Sequence, residues 1–260
     1  CTHRRQRQMC IRDSKKTMRS VRGKQAAMIF QDPLTALNPT HRIGRQLSEM
    51  VRAHNDISKD DALVRSTELL DLVGIPNAKE RVRQYPHEFS GGMRQRVMIA
   101  MAIANNPTLL IADEPTTALD TTVQAQILDV INDIRAEFGT AVAFITHDLG
   151  VVARVASRAL VMYAGRVVEK GRVEALFDKP NHPYTRGLIT SLPHPGADRL
   201  VPIPGAPPNM LRPPSGCAFR PRCAFPEAEC ATADATLREA GTTETACIRI
   251  DKIELAGVTA

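Results

Sequence analysis

Between Phe89 and Asp120 the chain reads FSGGMRQRVMIAMAIANNPTLLIADEPTTALD, and no other stretch limits the possible fold as tightly. A Ser-Gly-Gly turn opens a helix that Pro107 halts, and the apolar run Leu109–Ala112 has the length of a buried strand. That strand ends in two adjacent carboxylates, Asp113 and Glu114. The order suits a protein that grips a nucleotide phosphate. Free N–H groups of Ser90, Gly91 and Gly92 at a positive helix end form an anion site, and glycine lets backbone approach phosphate oxygens. Carboxylates at a strand end lie where open α/β sheets gather their ligands. Alone, the turn is equally a helix cap and the Asp-Glu pair equally the start of a loop. Their spacing is what favours a shared site.

The flanking sequence supplies the rest of an α/β fold. Residues 25–30 (QAAMIF) form a short apolar strand that stops at Gln31-Asp32-Pro33, since proline cannot continue a ladder. Ile43, Leu47 and Val51 share one face of a helix over 43–54. Ser58 caps a second helix ending near Gly74, so a helical insert precedes the Ser-Gly-Gly turn. Val123, Ile127, Val130, Ile131, Ile134 and Phe138 keep helical spacing over 121–138, closed by Gly139. Further strands are expected at 141–146, 159–163 and 166–169. Strands alternating with helices imply a largely parallel sheet.

Charge and proline are both unevenly placed. Nine Lys and Arg against one Asp fall in residues 1–24, so the net charge of +6 belongs to a basic lead-in rather than to the folded body. With aromatics at 4%, a nucleic-acid-binding surface is not expected. The first residue is Cys1, and MCIRDS resembles translated sequencing-adapter sequence, so residues 1–14 are expected to be non-native. Twelve of the 18 prolines lie between Pro180 and Pro226, which argues against regular structure there. Residues 179–260 are therefore expected to be a separate, mostly irregular appendage. No apolar run approaches the ~18 residues needed to span a bilayer, and no signal peptide is visible, which favours the cytoplasm.

His147 ends the strand at 141–146. A lone histidine usually packs or sits at the surface; at this sheet end it can donate to a γ-phosphate and hold an attacking water. Gln31 ends another strand with an amide able to touch magnesium or that water. Together IFQDP, FSGGMRQR, LLIADEP, TALD and ITHD resemble the Q-loop, signature, Walker B, D-loop and switch-histidine motifs of ATP-binding-cassette ATPases, in that family's order. Several ordered motifs are far more specific than one. The resemblance implies a P-loop-NTPase-like cassette domain at 25–178, with a helical subdomain at about 41–105. By the same resemblance Asp113 serves magnesium, Glu114 is the catalytic base, His147 is the γ-phosphate switch, and Gln31 couples nucleotide state to a membrane partner. Ser90, Gly91 and Gly92, with Gln95 in the same run, would contact ATP held by the opposite subunit of a head-to-tail dimer, and Asp120 would report on that subunit.

A finer resemblance covers residues 22–247. FQDPLTALNP, DEPTTALDTTVQAQI, VMYAGRVVE and NHPYTRGL are similar to one of the paired ATPase subunits of oligopeptide and dipeptide importers. This implies a peripheral subunit on the cytoplasmic face of the plasma membrane. Its expected partners are transmembrane permease subunits, a second cassette ATPase that is a paralogue, and indirectly an extracytoplasmic peptide-binding protein. The sequence departs from the family in lacking G-x-x-x-x-G-K-S/T, since Gly23-Lys24 is followed by Gln. The expectation is a truncated sequence: the whole protein hydrolyses ATP, and this chain as written does not. Other readings are a non-catalytic or regulatory subunit, an importer ATPase for nickel or glutathione, and a soluble cassette protein working on ribosomes or DNA.

Cys217, Cys223, Cys230 and Cys247 remain. Disulfides are disfavoured in a cytoplasmic chain, and these gaps do not match the paired CxxC knuckles usual for zinc. Spacing alone leaves a metal cluster, zinc and free thiols open. In the importer family the tail GCAFRPRC resembles a segment that binds a 4Fe–4S cluster, and Arg220 and Arg222 are expected to favour thiolate there. Cys1 and Cys10 have no spacing partner. His182, Pro183 and Tyr184 are expected to dock the appendage on the body.

Overall fold

A computed structural model describes residues 15–117, 119–192 and 202–250. The expectations for residues 1–14, Cys1 and Cys10 fall outside them. The chain divides into two compact units after His147, not at the 178/179 boundary expected from composition.

The first unit is built on a three-stranded parallel sheet, β1 (Ala26–Ile29), β2 (Leu109–Asp113) and β3 (Ala141–Ile145), in that spatial order. Ile29 pairs with Ala112 and Asp113 with Ile145, so the three strands end level with one another. Beyond β1, Asp32 Oδ1 accepts the Leu34 N–H at 2.8 Å and turns the chain into the short helix Pro33–Ala36. Helix Ile43–Arg52 buries Ile43, Leu47 and Val51 as expected. Ser58 Oγ caps helix Lys59–Leu72 through the Asp61 N–H, and Gly74 leaves it with φ +72°. Helix Gly91–Ile103 buries Val97, Met98, Ile99, Ala100, Ala102 and Ile103, so it is apolar nearly all round and forms the centre of the unit. Helix Thr121–Phe138 packs Ile127, Ile131 and Ile134 into the same core and ends on Gly139 at φ +64°.

The second unit corrects two expectations. Its sheet is antiparallel, ordered β4 (Arg158–Tyr163), β5 (Arg166–Arg172), β7 (Thr243–Thr245), β6 (Arg238–Ala240). Ala164 and Gly165, at φ +50° and +73°, make the two-residue turn whose twist suits a β4–β5 hairpin. Because β7 pairs with β5, residues 243–245 continue the sheet begun at 158, and the tail is not a separate appendage. Its strands, Arg-Glu-Ala and Thr-Glu-Thr, are three residues each, which left no apolar signature to read. The prolines also tolerate one helix, Pro183–Thr190, because Pro183 occupies its first turn, where no N–H is needed.

One buried carboxylate organises this unit. Glu169 is fully buried, and its two oxygens accept the N–H groups of Asn181 at 2.7 Å and His182 at 3.0 Å. Asn181 in turn donates to Ala240 O and Thr243 Oγ1, tying the turn before the 183–190 helix to β6 and β7. Burial pushes the Glu169 carboxyl above its ordinary range against these hydrogen bonds.

Candidate functional site

The ends of the parallel strands converge on Glu114. Gln31 Nε2 and Thr117 Oγ1 each donate to Glu114 Oε2 at 2.8 Å, and His147 Nδ1 lies 3.0 Å from Oε1. Glu114 sits at φ +45°, a conformation that is sterically costly for a residue with a Cβ. Its N–H bonds to Ile145 O, so the chain is held at the sheet end while the carboxylate lies between the ends of β1 and β3. The His147 hydrogen bond, then that of Thr117, with smaller help from Gln31, holds this carboxyl below the usual range. Glu114 is thus ionised at neutral pH and can only accept, so His147 carries its proton on Nδ1. A partly exposed carboxylate held by three donors can bind a water in place of any one of them.

Three expected site residues are therefore gathered in one cluster, and Thr117 joins them. It stands one helical step from Glu114 in the same DEPTT run, and that i, i+3 reach was the available signal. Asp113 is half-buried at the end of β2, beside the cluster in sequence. Asp120 caps helix Thr121–Phe138, its Oδ1 accepting from Thr122 and Val123 N–H at 3.1 and 2.9 Å. Ser90 caps helix Gly91–Ile103 with a long contact of 3.4 Å to Met93 N. Gly91 is open, with nothing within 4 Å of where a Cβ would stand, whereas a Cβ on Gly92 would lie 2.6 Å from Val123 Cγ1. Gly92 thus also serves close helix packing. Gln95 is not on this surface: it is 3% exposed and its Nε2 has no hydrogen-bond partner.

In the second unit Cys217, Cys223, Cys230 and Cys247, all free thiols, line one narrow pocket with His182, Phe219, Arg220 and Arg249. Gly216, at φ +69°, allows the backbone to cross so closely that a Cβ there would meet Cys230 O at 2.3 Å. The Cys217 N–H donates to that same oxygen. Burial pushes the Cys223 and Cys247 thiols up, and the other cysteines add to the rise. The expected help from arginine is only partly met. Arg222 is engaged with Pro204 O, Ile203 O and the Tyr163 ring, while Arg220 lines the pocket. Arg249, which sequence did not single out, lines it too, with a buried Nε that has no partner. Among the described residues no three His, Cys, Asp or Glu are placed to hold one metal ion. The pocket thus brings four thiols together with one buried N–H donor that has no partner.

A parallel sheet whose strand ends gather a glutamate, a glutamine and a histidine, beside a helix opened by Ser-Gly-Gly, is the framework of a nucleotide-handling α/β cassette. The comparisons agree. Residues 5–117 match the ABC transporter family and residues 168–230 the C-terminal region of the oligopeptide/dipeptide transporter family. The chain is 57% identical over 215 residues to the oligopeptide transport ATP-binding protein OppD of Bacillus subtilis, covering 82% of this chain and 60% of that one. It is 53% identical to OppD of Haemophilus influenzae, covering 82% and 67%, and 54% identical to that of Salmonella typhimurium, covering 79% and 62%. Among solved structures it resembles the ATP-binding cassette MJ0796 in a dimeric post-hydrolysis state bound to ADP and Pi, at 26% identity and TM-score 0.56, covering 62% of this chain and 68% of that one. The chain belongs to the oligopeptide and dipeptide transport branch of the ATP-binding-cassette family. It spans 60–67% of the length of these three curated relatives.

Proposed function

We propose that this chain is part of the ATP-hydrolysing subunit that energises import of oligopeptides through a membrane transporter. The observation that carries the reading is the Glu114 cluster: a carboxylate held by Gln31 and His147 at the strand ends of a cassette more than half identical to peptide-transport ATP-binding proteins. Glu114 orients and deprotonates the water that attacks the γ-phosphate of ATP. His147 and Gln31, which hold the carboxylate here, transfer their hydrogen bonds to the phosphate and the water when nucleotide binds. Asp113 serves the magnesium ion that accompanies ATP. Ser90, Gly91 and Gly92 present free N–H groups to ATP held by a second cassette subunit in a head-to-tail pair.

Among the described residues no helix is long and apolar enough to cross a membrane. The match to peptide-transport ATP-binding proteins supports transmembrane permease subunits as partners, engaged from the cytoplasmic face, with an extracytoplasmic binding protein delivering peptide. The four cysteines are proposed to hold a 4Fe–4S cluster, which would cross-link the segments carrying Cys217, Cys223, Cys230 and Cys247. The orphaned Arg249 Nε and the pocket that the four cysteines share support this reading.

The test is transport. Liposomes carrying the assembled transporter and loaded with ATP should accumulate a labelled pentapeptide only when the whole subunit that contains this chain is included. Uptake that continues without it, or hydrolysis that peptide and its binding protein leave unstimulated, would refute the proposal.

A further inference from the structure

The cysteine pocket contains two nitrogen donors whose geometry is already fixed by other bonds. Arg249 Nη1 donates to Phe225 O at 2.7 Å, and its Nη2 lies 3.2 Å from Glu227 Oε1. Both partners lie in the loop between Cys223 and Cys230. These two contacts set the plane of the guanidinium and leave Nε buried without an acceptor, in a residue that lines the pocket. A buried donor is rarely left unmet, so an acceptor belongs in that position.

His182 is the second donor. It is 2% exposed, lines the same pocket, and packs its ring 5.9 Å from that of Phe219. Its Nδ1 accepts the Tyr184 N–H at 3.1 Å, so the ring proton must reside on Nε2. The Tyr184 hydrogen bond orients the ring, and Glu169 accepts the His182 backbone N–H at 3.0 Å, which holds the backbone that carries it. The chain thus fixes a second N–H donor at the wall the cysteines share.

We propose that Arg249 Nε–H and His182 Nε2–H are positioning donors to the sulfur of the group held by the four cysteines, and that they set its reduction potential. The inference rests on the cluster reading given above. Thiolates and bridging sulfides carry net negative charge, which grows by one on reduction. N–H donors aimed at sulfur therefore stabilise the reduced form more than the oxidised one and raise the potential. Arg222, turned toward Pro204 O and Ile203 O, is the internal control: a cation from the same segment that does not line the pocket.

The experiment uses the full chain purified without oxygen, with iron and acid-labile sulfide measured per chain and the midpoint potential taken by redox titration followed by electron paramagnetic resonance. Arg249→Lys keeps the charge and removes the Nε donor. His182→Asn keeps an acceptor for Tyr184 N–H and removes the Nε2 donor. Each variant is expected to retain iron and sulfide and to shift the potential downward by about tenfold in the reduction equilibrium, ~59 mV for one electron. Arg222→Lys is expected to leave it unchanged. A variant that melts as wild type yet loses iron, while Arg222→Lys keeps it, supports the same assignment. Loaded Arg249→Lys and His182→Asn at the wild-type potential would overturn the proposal, as would an equal shift in Arg222→Lys. Wild type with neither iron nor sulfide sinks the cluster reading itself, and this inference with it.

Discussion

Gln31 Nε2 donates to Glu114 Oε2 at 2.8 Å across 83 residues of sequence, joining the end of β1 to the end of β2. With His147 on the other carboxylate oxygen, one side chain links all three strand ends. The carboxyl of Glu114 should therefore respond to its donors in the order in which they lower it. His147→Ala should raise it most, Thr117→Val less and Gln31→Leu least, in a carboxyl carbon NMR titration. The sign has a consequence for the tie itself. A carboxylate whose folded pKa is depressed stabilises the fold above its ordinary pKa and loses that contribution as pH falls through the folded one. A Glu114 titration unmoved by all three variants would contradict the hydrogen-bonded cluster.

The two caps near the site differ in strength. Asp120 accepts two N–H groups at about the ideal distance, whereas Ser90 makes one contact of 3.4 Å. Asp120→Ala is expected to cost about 1–2 kcal/mol and Ser90→Ala no more than about 0.5 kcal/mol in urea unfolding. A Ser90→Ala loss as large as that of Asp120→Ala would make Ser90 a structural residue first.

Gly91 and Gly92 also separate. Gly92→Ala drives a methyl into Val123 and is expected to cost about 1–3 kcal/mol, with partial rescue by Val123→Ala. Gly91→Ala meets nothing and should leave stability unchanged. If both substitutions cost the same, the close approach of the two helices is not what Gly92 provides.

Glu169 gives the second unit a distinct pH signature. Its carboxyl is raised by burial, so its contribution relative to Glu169→Gln is fully present below the ordinary carboxylate pKa and is lost as pH rises through the raised one. Glu169→Ala strands the N–H groups of Asn181 and His182 and is expected to cost about 2–4 kcal/mol. Near-ultraviolet circular dichroism of Tyr163 and Tyr184 follows this unit. A wild-type and Glu169→Gln difference that does not vary with pH would contradict the assignment.

What could be read from sequence depended on period and punctuation. The helix at 121–138 was legible to the residue because its six spaced apolar positions and Gly139 agree, and the structure adds Asp120 as its cap. Gln31, Glu114 and His147 were legible as a group because parallel strands bring their ends together wherever they lie in the chain. The sheet of the second unit was not. Strands β6 and β7 carry no apolar alternation, and their place beside β5 is set by Glu169, Asn181 and Thr243, far apart in sequence. Arg249 was missed for a similar reason. It follows the last cysteine, and only the fold brings it to the loop between Cys223 and Cys230.

The central claim is that Glu114 is the base for ATP hydrolysis, and one substitution tests it directly. Glu114→Gln keeps the side chain's shape and removes its charge. In the transporter assembled with the whole subunit that contains this chain, at saturating ATP and magnesium, turnover should fall by about 100-fold or more while nucleotide binding persists. Turnover within a few-fold of wild type would contradict the account.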